Sequence, residues 1–288
     1  MAKSGWLIVN GFLRSEKFND IYALLQNSAR KFGASLVCKK TSEIACVFGG
    51  EIALEKPDFV LFWDKDEVLA RRLERLQIPV FNSARAIEIC DNKILTAETL
   101  SFFGVQTPKT LPAPKTFEGV GYTDFSFLDT AEKELGFPMV IKEAYGSFGA
   151  QVYLAKDKES ALEIIRKIGY KPFLMQEFIA ESRGKDIRVN VVGGRVVCAI
   201  MRENKEDFRS NITNGGIGTP VTLTKEQETL ALSACQAVGA DFAGVDILLG
   251  KDAPLVCEVN TNPHFKSTLD CTGVDLSEYI MRYILERL

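Results

Sequence analysis

The apolar residues of this chain fall into short blocks of strand length, and over the first hundred residues those blocks alternate with stretches of helical periodicity. Residues 6–9, 35–38, 59–63 and 79–81 read as strands; residues 15–32, 64–77 and 91–103 read as helices. Ser15 is the candidate cap of the first helix and Gly33 its stop, Asp64 with Glu67 forms a capping-box pattern for the second, and Gly104 stops the third. Such alternation predicts a parallel, doubly wound α/β sheet. Asn10, Asp64, Asn82 and Ser83 then fall at the carboxyl ends of strands, where open sheets collect ligands. Asn10-Gly11 is equally a plain turn, and Asp64 a plain helix cap.

The pattern changes after Pro108, Pro112 and Pro114, which mark an irregular connection. A helix is expected near Asp129, ending at Gly136. Strands at 138–142, 151–154 and 173–178 follow, with a helix over 158–168. Residues 186–192 and 195–202 flank Gly193-Gly194, a two-residue hairpin turn. Thr224 and Gln227 box a helix running to Gly239, residues 243–249 and 254–260 form a second hairpin, and a last helix follows Asp275. This part is therefore expected to be α+β with antiparallel sheets. At about 150 residues per domain, 288 residues predict roughly two.

A hydrophobic share of 46% with 25% charged residues excludes a disordered chain or a collagen-like repeat. The net charge of −3 argues against a nucleic-acid or anionic-membrane partner. No run approaches the roughly 18 apolar residues of a membrane span, and Asn10-Gly11 breaks the apolar start too early for a signal peptide. Seven scattered cysteines with no C-x-x-C pair read as reduced thiols, which together with these exclusions predicts a cytoplasmic protein. The charge is unevenly spread: residues 142–211 carry 13 basic and 10 acidic side chains, residues 212–288 carry 5 and 10. A basic middle and an acidic end suit a metal–phosphate ligand held between them.

The second hairpin carries the sharpest chemistry. Glu258 and Asn260, two apart, share a face. A loop over 250–253 pairs 249 with 254 and sets Asp246 opposite 257, or opposite Glu258 if one residue bulges. Two buried carboxylates need compensation, and a hard cation such as magnesium takes oxygen ligands of this kind. Exposed polar positions on a half-solvated sheet are the alternative. Lys142 ends an apolar strand before the loop Gly146-Ser147-Phe148-Gly149, where small residues let backbone N–H groups approach a phosphate. An ordinary glycine-rich hairpin fits as well. Gln176-Glu177-Phe178-Ile179 is either a backbone edge for adenine or an edge strand leaving its sheet. Asp186 and Arg188 share a face, with Lys185 beside them, and Arg202 returns at the same end of the ladder. Surface salt bridges would also account for these charges.

Taken in order, the lysine and glycine loop, the hinge segment, K-D-I-R-V, F-R-S-N, D-I-L and E-V-N resemble the ATP-grasp ligases, and most of all the RimK-type α-L-glutamate ligases. The likeness runs in register from about Cys90 to the C-terminus, and more loosely before it. It implies an N-terminal α/β domain over 1–92, an ATP-grasp small lobe over 93–175 and a C-terminal lobe over 176–288. It also implies ATP as co-substrate and two magnesium ions, with manganese as a substitute, on Asp246, Glu258 and Asn260. On the same likeness Lys93, Lys142, the Gly146–Gly149 loop and Asn211 meet the phosphates. Gln176 to Ile179, with Lys185 and Asp186, hold the nucleoside. Arg188 and Arg202 face the reacting carboxylate, and with Lys142 at the phosphates they are the implied catalytic residues. The implied reaction joins a carboxylate to an amine through an acyl phosphate, with glutamate as one candidate and a metabolite, peptide or protein as acceptor; a dimer or tetramer is left open. A synapsin-like nucleotide-binding module without catalysis is the alternative, as is a dipeptide or peptide-modifying ligase of another branch. The chain departs from the family after E-V-N, where Asn262-Pro263-His264-Phe265-Lys266 replaces a short glycine-containing loop. His264, Lys266 and Asn10 are therefore substrate-side candidates, against a solvated Lys266 and a His264 packed on Phe265.

Overall fold

In the computed structural model, residues 2–13, 18–44, 48, 55–210 and 215–288 are described. Ser15, Cys46 and Asn211 lie outside them. The first strands differ in cover: residues 4–9 and 59–63 are buried almost throughout, as strands covered on both faces must be, while the edge strand over 35–40 is mostly exposed. They are β1 (Ser4–Val9), β2 (Ser35–Lys40), β3 (Phe59–Trp63) and β4 (Val80–Phe81), with α1 (Asn19–Lys31) after β1 and α2 (Glu67–Arg75) after β3. The strands pair in parallel in the order β2-β1-β3-β4, the doubly wound sheet expected from the alternation. Leu7, Val9, Phe59 and Leu61 face α1, while Trp6, Ile8, Val60 and Phe62 face α2 and the following helix.

Two helix boundaries differ from expectation. The cap of α2 is Asp66, which accepts from the Leu69 N–H at 2.9 Å, and not Asp64. The helix expected over 91–103 is α4 (Lys93–Phe102), two residues late at its start, and an unexpected helix, α3 (Ala84–Asp91), precedes it. Ser83 caps α3, and Asn92 caps α4 by accepting from Ile94 and Leu95 N–H. Asn92 breaks the helix because its side chain outcompetes the preceding turn for those donors.

The middle of the chain contributes β5 (Thr110–Pro112), α5 (Ser126–Leu135), β6 (Met139–Glu143), β7 (Val152–Ala155), α6 (Lys158–Ile168) and β8 (Phe173–Glu177). Its sheet is antiparallel, β5-β8-β6-β7, with α5 and α6 packed on one face through Leu128, Ala161 and Ile165. β9 (Lys185–Val192), β10 (Arg195–Glu203), β11 (Ile217–Pro220), α7 (Lys225–Val238), β12 (Phe242–Leu249) and β13 (Pro254–Asn260) follow. They build a second antiparallel sheet, β11-β10-β9-β12-β13. One face, with Ile187, Val189, Val245 and Ile247, packs on Leu230, Ala234 and Val238 of α7.

The chain ends with α8 (Lys266–Thr272) and α9 (Leu276–Leu285). Ile280, Met281 and Ile284 of α9 are fully buried against α1, β1 and β3, each contributing about 2 kcal/mol. The first sheet and the last therefore share one core. Asn82, fully buried, stitches them: its amide donates to the carbonyls of Phe242 and Thr261, both at 2.9 Å, and accepts from the Asp241 N–H at 2.6 Å. Asn82 and Ser83 thus have structural roles. No described helix is long and apolar enough to cross a membrane, and the six described cysteines are free thiols.

Candidate active site

The hairpin turns fix the register of the site. Gly193-Gly194 pairs Val192 with Arg195, and a bulge at Val196/Cys198 sets Arg202 opposite Asp186 and Ile200 opposite Arg188. The β12–β13 loop pairs Leu249 with Pro254, and a bulge after Asp246 sets it opposite Glu258. On the other side Asp246 pairs with Arg188. Asp186, Arg188, Arg202, Asp246, Glu258 and Asn260 thereby stand on the face of the sheet away from α7.

Arg202 grips Asp186 with two parallel hydrogen bonds of 2.6 and 2.5 Å and reaches Asp246 at 2.9 Å. Arg188 grips Asp246 through Nε and, at 2.8 Å, through Nη2. Burial alone would push the Asp246 carboxyl up, but Arg188 and then Arg202 outweigh it and hold it below the usual carboxylate range. Gly244 makes this possible, because a Cβ there would meet Pro263 Cβ at 2.9 Å and Arg188 Cδ at 3.0 Å. Glu258 faces Lys93 at 3.8 Å, and the Asn260 amide donates to the Gly244 carbonyl at 3.4 Å.

The facing wall comes from the middle sheet. Lys142, buried, donates to Gln176 Oε1 at 2.7 Å and lies 3.4 Å from Cys257 Sγ. Gln176 is turned by Thr110, whose hydroxyl accepts from it at 2.9 Å. The glycine loop is tied from three sides: Lys93 donates to the Gly146 carbonyl at 3.1 Å, Lys65 to Ser147 Oγ at 3.2 Å, and Arg209 to the Gly149 carbonyl at 2.5 Å. Glu177 spends its side chain on the Lys109 N–H at 2.7 Å, and Phe178 and Ile179 follow it along the cavity wall. Lys185 pairs with Glu203 at 3.1 Å.

Between these walls lies a cavity of about 550 Å³. It is lined by every described candidate except Asn82, Ser83 and Lys266, the last of which starts α8 and pairs with Asp270 one turn on. Val140, Val152, Leu174, Ile200, Leu248 and Val256 make one end of it an apolar slot. The opposite end is closed by the first domain. Trp63 stacks on Phe242 with ring centroids 5.6 Å apart, and Asp64 accepts from Asn10 at 3.2 and 3.3 Å. Phe18 is the hub of an aromatic group, 6.3 Å from Tyr22, 6.2 Å from Phe148 and 5.6 Å from His264. His264 thus packs on Phe18. Lys65 and Phe18 are site residues the motifs do not announce; the one available signal is their place beside a parallel strand's carboxyl end or in the helix after it.

The three sheets enclosing one cavity are the ATP-grasp architecture. D-alanine–D-alanine ligase from Bacillus anthracis superposes with a TM-score of 0.76 at 20% identity, over 99% of this chain and 97% of that one. The RimK-like ATP-grasp domain profile matches residues 91–284, and the chain belongs to that family. It is similar to human N-acetylaspartylglutamate synthase A, 35% identical over 78% of this chain and 57% of that protein. It is also 37% identical to a probable α-L-glutamate ligase of Syntrophotalea carbinolica, over 75% of this chain and 70% of that one. The chain spans little more than half the length of the first of these relatives.

Proposed function

We propose that this chain is an ATP-dependent carboxylate–amine ligase that forms an amide through an acyl phosphate. The observation that carries the reading is the convergence, in one cavity, of Lys93, Lys142, Arg188 and Arg202 with the bulge-registered pair Asp246 and Glu258. The apolar slot beside the Phe178–Ile179 backbone suits an adenine ring, and the tied Gly146–Gly149 loop suits the triphosphate.

Three oxygen-bearing side chains, with no sulfur or imidazole among them, fit a hard cation. Asp246, Glu258 and Asn260 would hold two magnesium ions, or manganese in their place, which would neutralise charge on the phosphates. The substrate carboxylate attacks the γ-phosphorus, ADP leaves, and the neutral amine attacks the resulting acyl phosphate, expelling phosphate, which takes up the proton the nitrogen loses. Phosphoryl transfer asks the protein for in-line placement and charge neutralisation, not covalent help. Lys142, fixed by Gln176, and Lys93 supply positive charge at the phosphates. Arg188 and Arg202 supply it where the carbonyl oxygen becomes an oxyanion. The glycine loop, tied to Lys65 and Arg209, keeps water from the acyl phosphate. Glutamate, which appears in the names of both relatives, is the first amine to test.

The test is ADP and phosphate release on pools of amino acids and carboxylates. Release with a matched pair alone is expected. Lys142→Ala, or Asp246→Asn with Glu258→Gln, is expected to abolish it with the fold intact by circular dichroism. Near-normal turnover in these variants, or nucleotide binding without release on any pair, overturns the reading.

A further inference from the structure

Phe18 of the first domain touches a ring from each of the two lobes that face it across the cavity. It stacks on Tyr22 of its own helix with ring centroids 6.3 Å apart, lies 6.2 Å from Phe148 of the glycine loop, and meets His264 of the loop after β13 edge-on at 5.6 Å. At such separations the ring quadrupoles attract one another. All four side chains line the cavity. None of the four is buried: Phe18, Tyr22 and His264 are partly exposed and Phe148 is 42% exposed, so ring surface is left over after the rings have met. Asn10, Asp64 and Lys65 also line the cavity, and Lys65 is held by Asp91 and Ser147. The wall thus combines ring surface with polar groups.

Two of these rings sit where the backbone does not favour them. Phe18 occupies the N-cap of α1, a position suited to Ser, Thr, Asp or Asn, and its ring can cap nothing. Phe148 has φ +57°, in the left-handed region where glycine is at ease, and it stands between Ser147 and Gly149 in a loop of small residues. Local structure explains neither ring, whereas the cavity wall they share explains both. That wall also adjoins a reacting group. A Cβ on Gly244 would meet Pro263 Cβ at 2.9 Å and Arg188 Cδ at 3.0 Å, so the segment that carries His264 runs beside Arg188.

We propose that Phe18, Tyr22, Phe148 and His264 form a subsite for the carbon skeleton of the carboxylate substrate, and that this skeleton ends in an aromatic ring, with the carboxylate toward Arg188. This rests on the ligase reading and adds to it the class of acid that is activated. A ring entering among these four gains apolar burial and edge-to-face contacts that a short aliphatic acid lacks. A dicarboxylate would have to strip water from its second charge against the rings.

The test reads binding and not turnover, so it fails or succeeds separately from the ligase assignment. Phenylpropionate, propionate and glutarate are titrated against the full chain by ligand-observed NMR, with ADP and magnesium present to occupy the apolar slot. Phenylpropionate is expected to bind about tenfold or more tightly than either of the others. Phe18→Ala is expected to remove most of that preference while leaving propionate, which does not reach the rings, unchanged. Should Phe18→Ala fail to fold, as loss of a cooperative melting transition would reveal, Phe148→Ala makes the same cut on a loop outside the four apolar cores. Propionate or glutarate binding as tightly as phenylpropionate, or both variants binding phenylpropionate as the wild type does, overturns the proposal. Failure of the ligase reading shows elsewhere, as no ADP release from any acid and amine pair, ring-bearing acids included.

Discussion

Lys142 is useful to a phosphate only if its ammonium is held in one place, and it is held through a relay. Thr110 turns Gln176, and Gln176 accepts from Lys142. Gln176→Leu is expected to raise KM for ATP about tenfold with little change in melting temperature, since it removes a bond to a charged group. Thr110→Val, which removes only the orienting partner, is expected to do less; steady-state kinetics with varied ATP measures both. Asp64 makes the opposite trade. Its carboxyl is raised in the folded state, so the proton is bound more tightly there than in the unfolded chain. The stability it contributes is present below the unfolded pKa and is lost as pH rises through the folded one. Lys65, Asp66 and Tyr22 are the titratable groups acting on it. Asp64→Asn is therefore expected to raise the melting temperature at pH 7 relative to wild type, with the gain shrinking toward pH 4. An equal shift at both pH values would count against a buried ionised carboxylate.

At the level of elements, the site depends on strand register. Loop length and the alternation of apolar residues in β12 and β13 leave two pairings for Asp246, with residue 257 or with Glu258. What selects between them is the bulge after Asp246, a local kink that sequence does not announce. The Gly193-Gly194 turn and the boxed start of α7 are legible in the sequence because a turn residue or cap states its own geometry. α3 is not, because its cap, Ser83, has Ala86 and not a glutamate or glutamine three residues on and so announces no capping box. The cap of α2 falls two residues from its expected place because Asp64 has the glutamate three residues on that marks a capping box, whereas Asp66, which makes the cap, has Leu69 there. α8 escapes a reading by pattern because seven residues with two threonines and a cysteine carry no helical signature. Gly244→Ala tests the register directly. The added methyl must displace Pro263 or Arg188, so a loss of about 1–3 kcal/mol is expected in denaturant unfolding, with a larger fall in ligase rate than in ATP binding.

At the scale of the molecule, the first domain is a wall of the cavity and not an appendage. α1 and α9 are bridged by Ser28 with Ser277 at 2.7 Å and Lys31 with Glu278 at 2.6 Å, and Asn82 ties β4 to β12. Asn82→Ala leaves several buried backbone groups without partners, and a loss of about 3 kcal/mol is expected. Because the core is shared, calorimetry should still show one transition; two separate transitions would mean the lobes fold independently. The uneven charge along the sequence also acquires a location, since the basic middle and the acidic end meet across the cavity. Trp63, stacked on Phe242 at the cavity's first-domain end, has a last consequence. The chain has two tryptophans, and the other, Trp6, is packed on the opposite face of the first sheet, away from the cavity. The protein therefore carries an intrinsic optical reporter in the cavity wall and a constant internal reference behind it, so occupancy of the cavity can be followed by ultraviolet emission without a label.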